Sequence, residues 1–397
     1  MKILQINSCY GVYSTGKIVD DISNILRKYG HECICIFGRS GNSDMQRAFK
    51  FNSKLDIYHH TMMSRIFDKE GLYSSVATKK MIDLIKNYSP NIIHLHNIHG
   101  HYLNYKILFD FINEHNIPVV WTLHDCWTIT GHCAHFDSIS CKKWLNGCKN
   151  CPQKNSYPSS ILMDNSANNY KLKKHLFTSV NEMVIVTPSN WLKAYIDASF
   201  MGMHKTMVIH NGIDTDIFKK TDSEFVKQFH LEDKKIVLGV ASKWSKNKGF
   251  DDLIKLSKKL PQDYKIVIIG LCAKQLKNLP DNILGLEKTK NQQELVKWYS
   301  LANVFVNPTY EDTFPTVNIE AQCCGTPVVT YKTGGSPETI VEGCGIVVEQ
   351  GNADELAKAI EQISANKLTE DCKNIFDKNI CFSKYISLYE DILGLGR

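Results

Sequence analysis

The chain has 397 residues, 43% apolar and 22% charged, with 14 cysteines and a formal charge of +6. Globular composition excludes a disordered chain, and at roughly 150 residues per domain the length predicts two domains. The longest apolar run, Ile266 to Ala273, is interrupted by Gly270 and falls short of the ~18 residues a bilayer span needs.

Short apolar, β-rich runs alternate with amphipathic stretches along the chain. That is the pattern of a parallel sheet with crossover helices. Lys2–Asn7 reads as a strand, Gly16–Tyr29 as a helix and Glu32–Phe37 as a strand. Ser75–Asn87 reads as a helix, Ile92–His96 as a strand, Tyr105–His115 as a helix and Val119–His124 as the next strand. Met183–Pro188 is another strand, and Ser189 or Asn190 caps the helix after it. The series then restarts. Met207–His210, Lys235–Val240, Lys265–Leu271 and Val304–Asn307 read as strands, and Phe250–Lys259, Asn291–Tyr299, Thr316–Cys323 and Ala353–Ala365 as helices. The expected domains are residues 1–200 and 201–379, with a linker near 195–206, and Phe382–Leu393 forms a last amphipathic helix.

The N-terminal sequence turns polar at Gln5, too soon for a secretory leader. A cytoplasmic protein is therefore expected, with thiols or metal ligands rather than disulfides. Residues 1–200 hold 22 Lys+Arg against 15 Asp+Glu, and residues 201–397 hold 25 against 26. The basic first half suits an anionic partner such as a membrane surface, a phosphorylated lipid or a nucleic acid, or is a solvated lysine surface. No arginine lies between Arg65 and Arg397. A phosphate site in the second half must use lysine and backbone N–H groups rather than a guanidinium fork.

Gly11-Val12-Tyr13-Ser14-Thr15-Gly16-Lys17-Ile18 nearly spells a Walker A loop, but Ile18 stands where a magnesium-binding hydroxyl belongs. What remains is Gly-rich backbone at a helix start, suited to an anion or simply to a tight turn. No G-x-G-x-x-G follows a strand, which argues against a nicotinamide enzyme. Cys133, Cys141, Cys148 and Cys151 are spaced C-x7-C-x6-C-x2-C in the loop-like segment 131–152. Four such ligands can close a tetrahedral structural zinc site, and reduced thiols or redox-formed disulfides are the alternatives. His124-Asp125 follows a strand, where open α/β sheets bind ligands. His94, His96, His99 and His101 form a second cluster, read either as metal ligands or as sheet alternation.

The densest constellation runs from Tyr310 to Glu320. Asp312 on the loop and Glu320 on the following helix can accept hydrogen bonds from hydroxyls at two ends of a ligand. The helix start between them offers N–H groups to phosphate, unless Asp312 or Thr316 merely caps the helix. Lys243, Lys246 and Lys248 precede Gly249 and supply countercharge or form a solvated loop. A phosphate between two hydroxyl-bearing groups describes a nucleotide sugar.

Taken in this order, the residues resemble the retaining glycosyltransferases of family 4, over nearly the whole chain. The resemblance is carried by Ser14-Thr15-Gly16-Lys17, His124-Asp125, the four-cysteine insert, Asn211-Gly212-Ile213-Asp214, Lys248-Gly249, Glu311 to Glu320, Cys324-Gly325-Thr326-Pro327 and Gly334-Gly335-Ser336-Pro337-Glu338. His124-Asp125, the insert and Asn211–Asp214 look like a subgroup that builds bacterial surface polysaccharides. The resemblance implies the α/β GT-B architecture: two Rossmann-like domains facing a cleft, with residues 380–397 crossing back to the first. It implies a nucleotide-sugar donor, UDP-linked first and GDP-linked next, and a glycan or lipid-linked glycan acceptor. It implies peripheral membrane association, no nucleic acid, and no metal or other cofactor in the chemistry. Lys248 and Lys243 would hold the diphosphate, Asp312 or Glu311 the sugar, and Glu320 the ribose. Gly16 and the backbone of Phe314, Pro315 and Thr316 would face the donor. Ser14, Thr15, His124 and Asp125 would lie on the acceptor side, with His124 also touching the donor sugar. Two positions depart from the family pattern. Asp312, not Glu311, has the E-x7-E spacing to Glu320, and Lys243 stands in the arginine slot. These departures keep open a silent nucleotide-sugar-binding protein or an epimerase on the same scaffold.

Overall fold

The structure, a computed structural model, describes residues 1–41, 47–363 and 372–395. The chain divides into two compact units, residues 1–210 with the tail from Phe382, and residues 211–381. Each is a parallel sheet between helices.

The first sheet has seven strands: β1 (Lys2–Asn7), β2 (Glu32–Phe37), β3 (Ala48–Lys50), β4 (Ile92–Leu95), β5 (Val119–Thr122), β6 (Met183–Thr187) and β7 (Lys205–Val208). Their order is β3-β2-β1-β4-β5-β6-β7. Strand β1 pairs in parallel with both neighbours, Ile3 opposite Cys33 on one side and Ile92 on the other. The central strands are buried on both faces, so they read as continuous apolar runs without alternation. Helix Tyr13–Lys28 buries Ile18, Val19, Ile22, Ile25 and Leu26, a helical stripe against the sheet. The chain order reverses between β1 and β4. Loops leaving the carboxyl ends of those two strands therefore diverge and leave a crevice.

The second sheet has six strands: β8 (Lys235–Val240), β9 (Tyr264–Ile269), β10 (Ile283–Leu286), β11 (Val304–Asn307), β12 (Val328–Tyr331) and β13 (Gly345–Val348). Their order is β10-β9-β8-β11-β12-β13, with the reversal between β8 and β11.

Several expectations change. The run Met207–His210 was expected to open the second series. Instead Lys205–Val208 pairs in parallel with β6 and closes the first sheet, so the division falls after His210 rather than after residue 200. A short apolar run names a strand but not its partner. Strands β3, β10, β12 and β13 and helix Lys54–Phe67 go beyond the sequence expectations. The expected helix 353–365 is present as Ala353–Ile363, and its last two residues lie outside the described residues.

The tail helix Lys378–Ile392 gives its residues from Phe382 onward to the first unit. There the Tyr389 hydroxyl meets His94 Nδ1 at 2.6 Å and the Tyr385 hydroxyl meets Thr122 Oγ1 at 2.8 Å. His94 Nε2 closes the set on Thr122 at 2.8 Å. These buried polar groups are mutually satisfied, which fixes the helix register on the sheet. Among the described residues no helix is long and apolar enough to cross a membrane.

Candidate functional site

In the second unit the loops after β8 and β11 leave the sheet at its reversal, and they carry the charged residues singled out from sequence. Trp244 anchors the first loop through its indole N–H, which donates to the Ile269 carbonyl at 2.8 Å. Gly249 ends the loop at φ +77°, and a Cβ there would sit 2.0 Å from the Pro308 carbonyl oxygen. Only glycine allows that approach. It brings the loops together, with Tyr310 N–H donating to the Asn247 carbonyl at 2.8 Å.

Lys248 is thereby held over the second loop. Its ammonium lies 2.7 Å from Asp312 Oδ2 and 3.3 Å from the Glu311 carbonyl. The other Asp312 oxygen, Oδ1, accepts from the Phe314 N–H at 3.2 Å. Gly334 packs behind, at φ +55°, where a Cβ would meet the Asp312 carbonyl oxygen at 1.8 Å. The Gly335 N–H donates to that same carbonyl at 3.2 Å. The neighbouring acid is engaged differently: Glu311 Oε2 accepts from the Asn247 amide at 2.9 Å. The lysine's side-chain partner is therefore Asp312. Lys243 is exposed on the same loop as Lys248.

Helix Thr316–Cys323 begins at Pro315, and no side chain caps it. Neither Asp312 nor Thr316 is the N-cap, so the first turn keeps its N–H groups for another acceptor. Two details correct the expected donor set. Pro315 has no N–H, and the Phe314 N–H is turned onto Asp312. The Phe314 ring is buried against Phe376. Thr316 and its successors are the backbone donors. On the same helix Glu320 Oε2 accepts from the Tyr299 hydroxyl at 2.9 Å, and burial keeps that phenol protonated.

In the first unit His124 stands just past β5. Its Nε2 lies 3.2 Å from His96 Nδ1, and the rings stack 5.5 Å apart. His96 Nε2 meets Gln5 Oε1 at 2.9 Å. The Gln5 amide nitrogen donates to the Val19 carbonyl and to Ser23, which fixes its oxygen toward His96. His96 must then carry its proton on Nε2 and accept at Nδ1, so His124 donates from Nε2 and bears a lone pair on Nδ1. Burial lowers the pKa of both rings, His124 to about 4, which keeps them neutral at pH 7. Asp125 faces His99 Nε2 at 2.8 Å and accepts from the Trp127 N–H at 2.8 Å. The paired His99 holds its carboxyl well below the usual range against the opposing effect of burial. The His94–His101 cluster thus serves as buried hydrogen-bonding support behind His124 and Asp125, a role its even spacing did not announce.

The helix bearing Ser14, Thr15 and Gly16 starts at Tyr13, earlier than expected, and its N-cap Val12 offers no side-chain cap. Ser14 is exposed and Thr15 half-buried. Gly16 is buried, where a Cβ would press on Cys9 and Tyr10 at 3.3 Å. It is a close-packing position inside the helix rather than an open ligand surface.

Cys133, Cys141, Cys148 and Cys151 line one small cavity of about 10 Å³ beside Trp144. All 14 cysteines are free thiols. Nearby, the buried Lys173 ammonium donates to the Trp127 and Thr130 carbonyls at 2.7 and 3.1 Å, and desolvation lowers its pKa to about 7. A tighter group of metal-type ligands is His60, Glu70 and His101. Its atoms are already committed. His60 Nε2 accepts from the Gly71 N–H and Nδ1 meets Ser74. Glu70 takes the Gly100 and His101 N–H groups on Oε1 and the His101 ring on Oε2. It is a loop-holding network, invisible to motif reading because its members are far apart in sequence.

Two Rossmann-like units with loops of this kind at the sheet reversals define a GT-B glycosyltransferase. The family model "Glycosyltransferase Family 4" matches residues 15–217 and "Glycosyl transferases group 1" matches 221–379. The chain belongs to glycosyltransferase family 4. It is 22% identical over 326 residues to the putative colanic acid biosynthesis glycosyl transferase WcaC of Escherichia coli K12, covering 78% of each chain. It is 28% identical over 203 residues to the capsular polysaccharide biosynthesis glycosyltransferase CapM of Staphylococcus aureus, covering 46% of this chain and 53% of that one. Among solved structures it is similar to sucrose-phosphate synthase from Thermosynechococcus elongatus, with TM-score 0.72, 16% identity and 99% of both chains covered. It is also similar to Anabaena HepE in complex with UDP, with TM-score 0.67, 17% identity, and 98% and 100% covered.

Proposed function

We propose that this chain is a retaining hexosyltransferase. It moves a sugar from a nucleotide-sugar donor, UDP-linked first and GDP-linked next, to a lipid-linked or oligosaccharide acceptor in bacterial polysaccharide synthesis. The observation that carries the reading is the meeting of Lys248, Asp312 and an uncapped helix start at the reversal of the second sheet. An ammonium and helical N–H groups suit a diphosphate, and they stabilise the charge that develops on it as the sugar departs. Asp312, once its ammonium turns to phosphate, accepts from a sugar hydroxyl, and Glu320 accepts from ribose. Lys243 adds countercharge in place of the family's arginine. On the first unit, His124 offers the Nδ1 lone pair to a sugar hydroxyl. No side chain is assigned as nucleophile. The leaving phosphate takes the acceptor proton, and the anomeric configuration is kept. The reading is supported by the relatives named for capsule and colanic acid synthesis and by the neighbour solved with UDP.

The four cysteines are read as ligands of a structural Zn²⁺, because one cavity collects all four. Four thiolates would leave the ion no open position for catalysis. The reaction itself is assigned no metal.

The test is thermal unfolding with saturating UDP, GDP, ADP, dTDP or CMP. A ligand at about 100 times its dissociation constant adds roughly 2.7 kcal/mol. One nucleoside diphosphate is expected to raise the midpoint and name the donor's base. Transfer from the matching donor is then followed by NMR of the product's anomeric proton. An inverted product refutes retention, and no shift with any nucleotide refutes the donor site.

A further inference from the structure

On the first unit, helix Lys54–Phe67 is amphipathic the wrong way round for a plain surface helix. Its inner face buries the polar His60 and Ser64. Its outer face exposes Leu55 (81%), Tyr58 (70%) and Met62 (42%) at helical spacing. The last turn is extended by a second apolar segment. The Ile161 N–H donates to the Arg65 carbonyl at 2.7 Å and the Met163 N–H to the Ile66 carbonyl at 3.1 Å. This clips three consecutive apolar residues beside the helix, with Ile161 at 66%, Leu162 at 67% and Met163 at 49% exposure. A continuous exposed apolar surface of this kind marks an interaction site rather than scattered surface residues.

We propose that this surface docks the enzyme onto an anionic phospholipid interface. The charge around it selects that occupant. Lys54 and Arg65 lie on the helix and Lys69 follows it, all three exposed. The Lys154 ammonium rests against the Ile161 and Leu162 carbonyls at 3.5 and 3.4 Å. Of the acids on these segments, Asp68 is buried against His132, and Asp164 is engaged by Ser166 and the Cys151 N–H. Asp56 remains at the helix start. Apolar side chains with tyrosine at their edge, rimmed by cations, match the headgroup–acyl boundary.

Position supports the same occupant. Tyr157 begins the segment that ends in Ile161–Met163, and its hydroxyl meets His99 Nδ1 at 3.0 Å. His99 in turn holds Asp125, beside His124. Docking here brings a lipid-linked sugar to the carboxyl edge of the first sheet. That last link rests on the transferase reading, whereas the docking itself rests on the exposed surface alone.

The experiment is vesicle flotation of the full chain with phosphatidylcholine vesicles, with and without about one third phosphatidylglycerol, at low and high salt. Wild type is expected to float with the anionic vesicles and to lose much of that binding at high salt. Leu55→Glu with Leu162→Glu is expected to cut the bound fraction at least ten-fold with an unchanged unfolding midpoint, since both side chains are exposed. Arg65→Gln with Lys154→Gln is expected to weaken binding to anionic vesicles alone. Failure of wild type to bind either vesicle, or binding by the double glutamate variant equal to wild type, overturns the proposal. A concentration-dependent dimer that the glutamates dissociate overturns it in favour of a second copy of the chain. The vesicles contain no sugar acceptor, so an enzyme that floats but never transfers sugar refutes the transferase reading and leaves the docking surface standing.

Discussion

Replacing Lys248 by alanine separates a ligand-binding role from a structural one. Its ion pair with Asp312 is short, at 2.7 Å, yet the two side chains are 38% and 23% exposed. A pair that solvent reaches contributes about 0–1 kcal/mol to folding. For a unit of this size, 1 kcal/mol moves the unfolding midpoint by about 2–4 °C, so the variant should fold and melt close to wild type. Transfer should behave otherwise. Removing one preorganised donor from developing negative charge typically costs 100- to 1,000-fold in turnover, about 2.7–4 kcal/mol. Single-turnover transfer with saturating donor, beside a melting curve with and without the preferred nucleoside diphosphate, reads both quantities. The nucleotide-induced midpoint shift should shrink along with the rate. Transfer within ten-fold of wild type refutes the assignment, and so does a loss explained by unfolding.

Three further outcomes follow from the geometry. Gly334→Ala puts a methyl group 1.8 Å from the Asp312 carbonyl oxygen at φ +55°. It should cost about 1–3 kcal/mol of stability and abolish the nucleotide-induced shift, and a variant that still responds to nucleotide would show that the Asp312 loop is dispensable. Burial lowers the pKa of His60 and His124 to about 4 and of His94 to about 3. Below the unfolded value near 6.5 the unfolded chain binds more protons, so stability is full above about pH 6.5 and falls as the pH drops toward 4. Urea unfolding of the first unit at pH 7.5, 6 and 5 should show this decline, and a flat profile would contradict neutral burial of these rings. Protein purified without chelator should carry about one zinc per chain by elemental analysis, and Cys148→Ser with Cys151→Ser should lose it and melt earlier. A metal-free wild type with reduced, stable thiols would dismiss the zinc reading.

Much of the fold was legible because buried parallel strands are apolar throughout. Lys2–Asn7, Glu32–Phe37 and Lys235–Val240 stand out from their flanks for that reason. Strand Lys205–Val208 was not assignable to its sheet, because its four residues are only half-buried or exposed at the sheet edge. Ile283–Leu286 and Gly345–Val348 contain glycine and partly exposed positions, which dilutes the pattern. Helix Lys54–Phe67 escaped because its apolar stripe faces outward and its buried face is polar, the reverse of what periodicity looks for. At the site, Lys248, Asp312 and Glu320 were readable as charges near glycine and proline. Which acid meets the lysine was not, since spacing alone cannot orient neighbouring carboxylates. The support behind His124 was hidden for another reason: Gln5, His96 and His124 meet across adjacent strands and only become neighbours once the sheet forms.

The two departures from the family pattern have a common physical reading. Without arginine, the second unit has no planar fork with which to grip a diphosphate. Lys248 instead brings one mobile point charge whose partner, Asp312, is fixed by the Phe314 N–H and by the glycines behind it. A carboxylate held this way keeps the ammonium aimed at the start of helix Thr316–Cys323. An incoming diphosphate then takes over the ammonium without the backbone moving, and Asp312 is released to accept from the sugar. Asp312→Glu adds a methylene and restores the family's residue, but it pushes the carboxylate past the Phe314 N–H. It should therefore weaken donor binding more than it alters the melting temperature. Titration calorimetry with the preferred nucleoside diphosphate decides the point: affinity equal to or above wild type would mean that the lysine needs no such fixed partner.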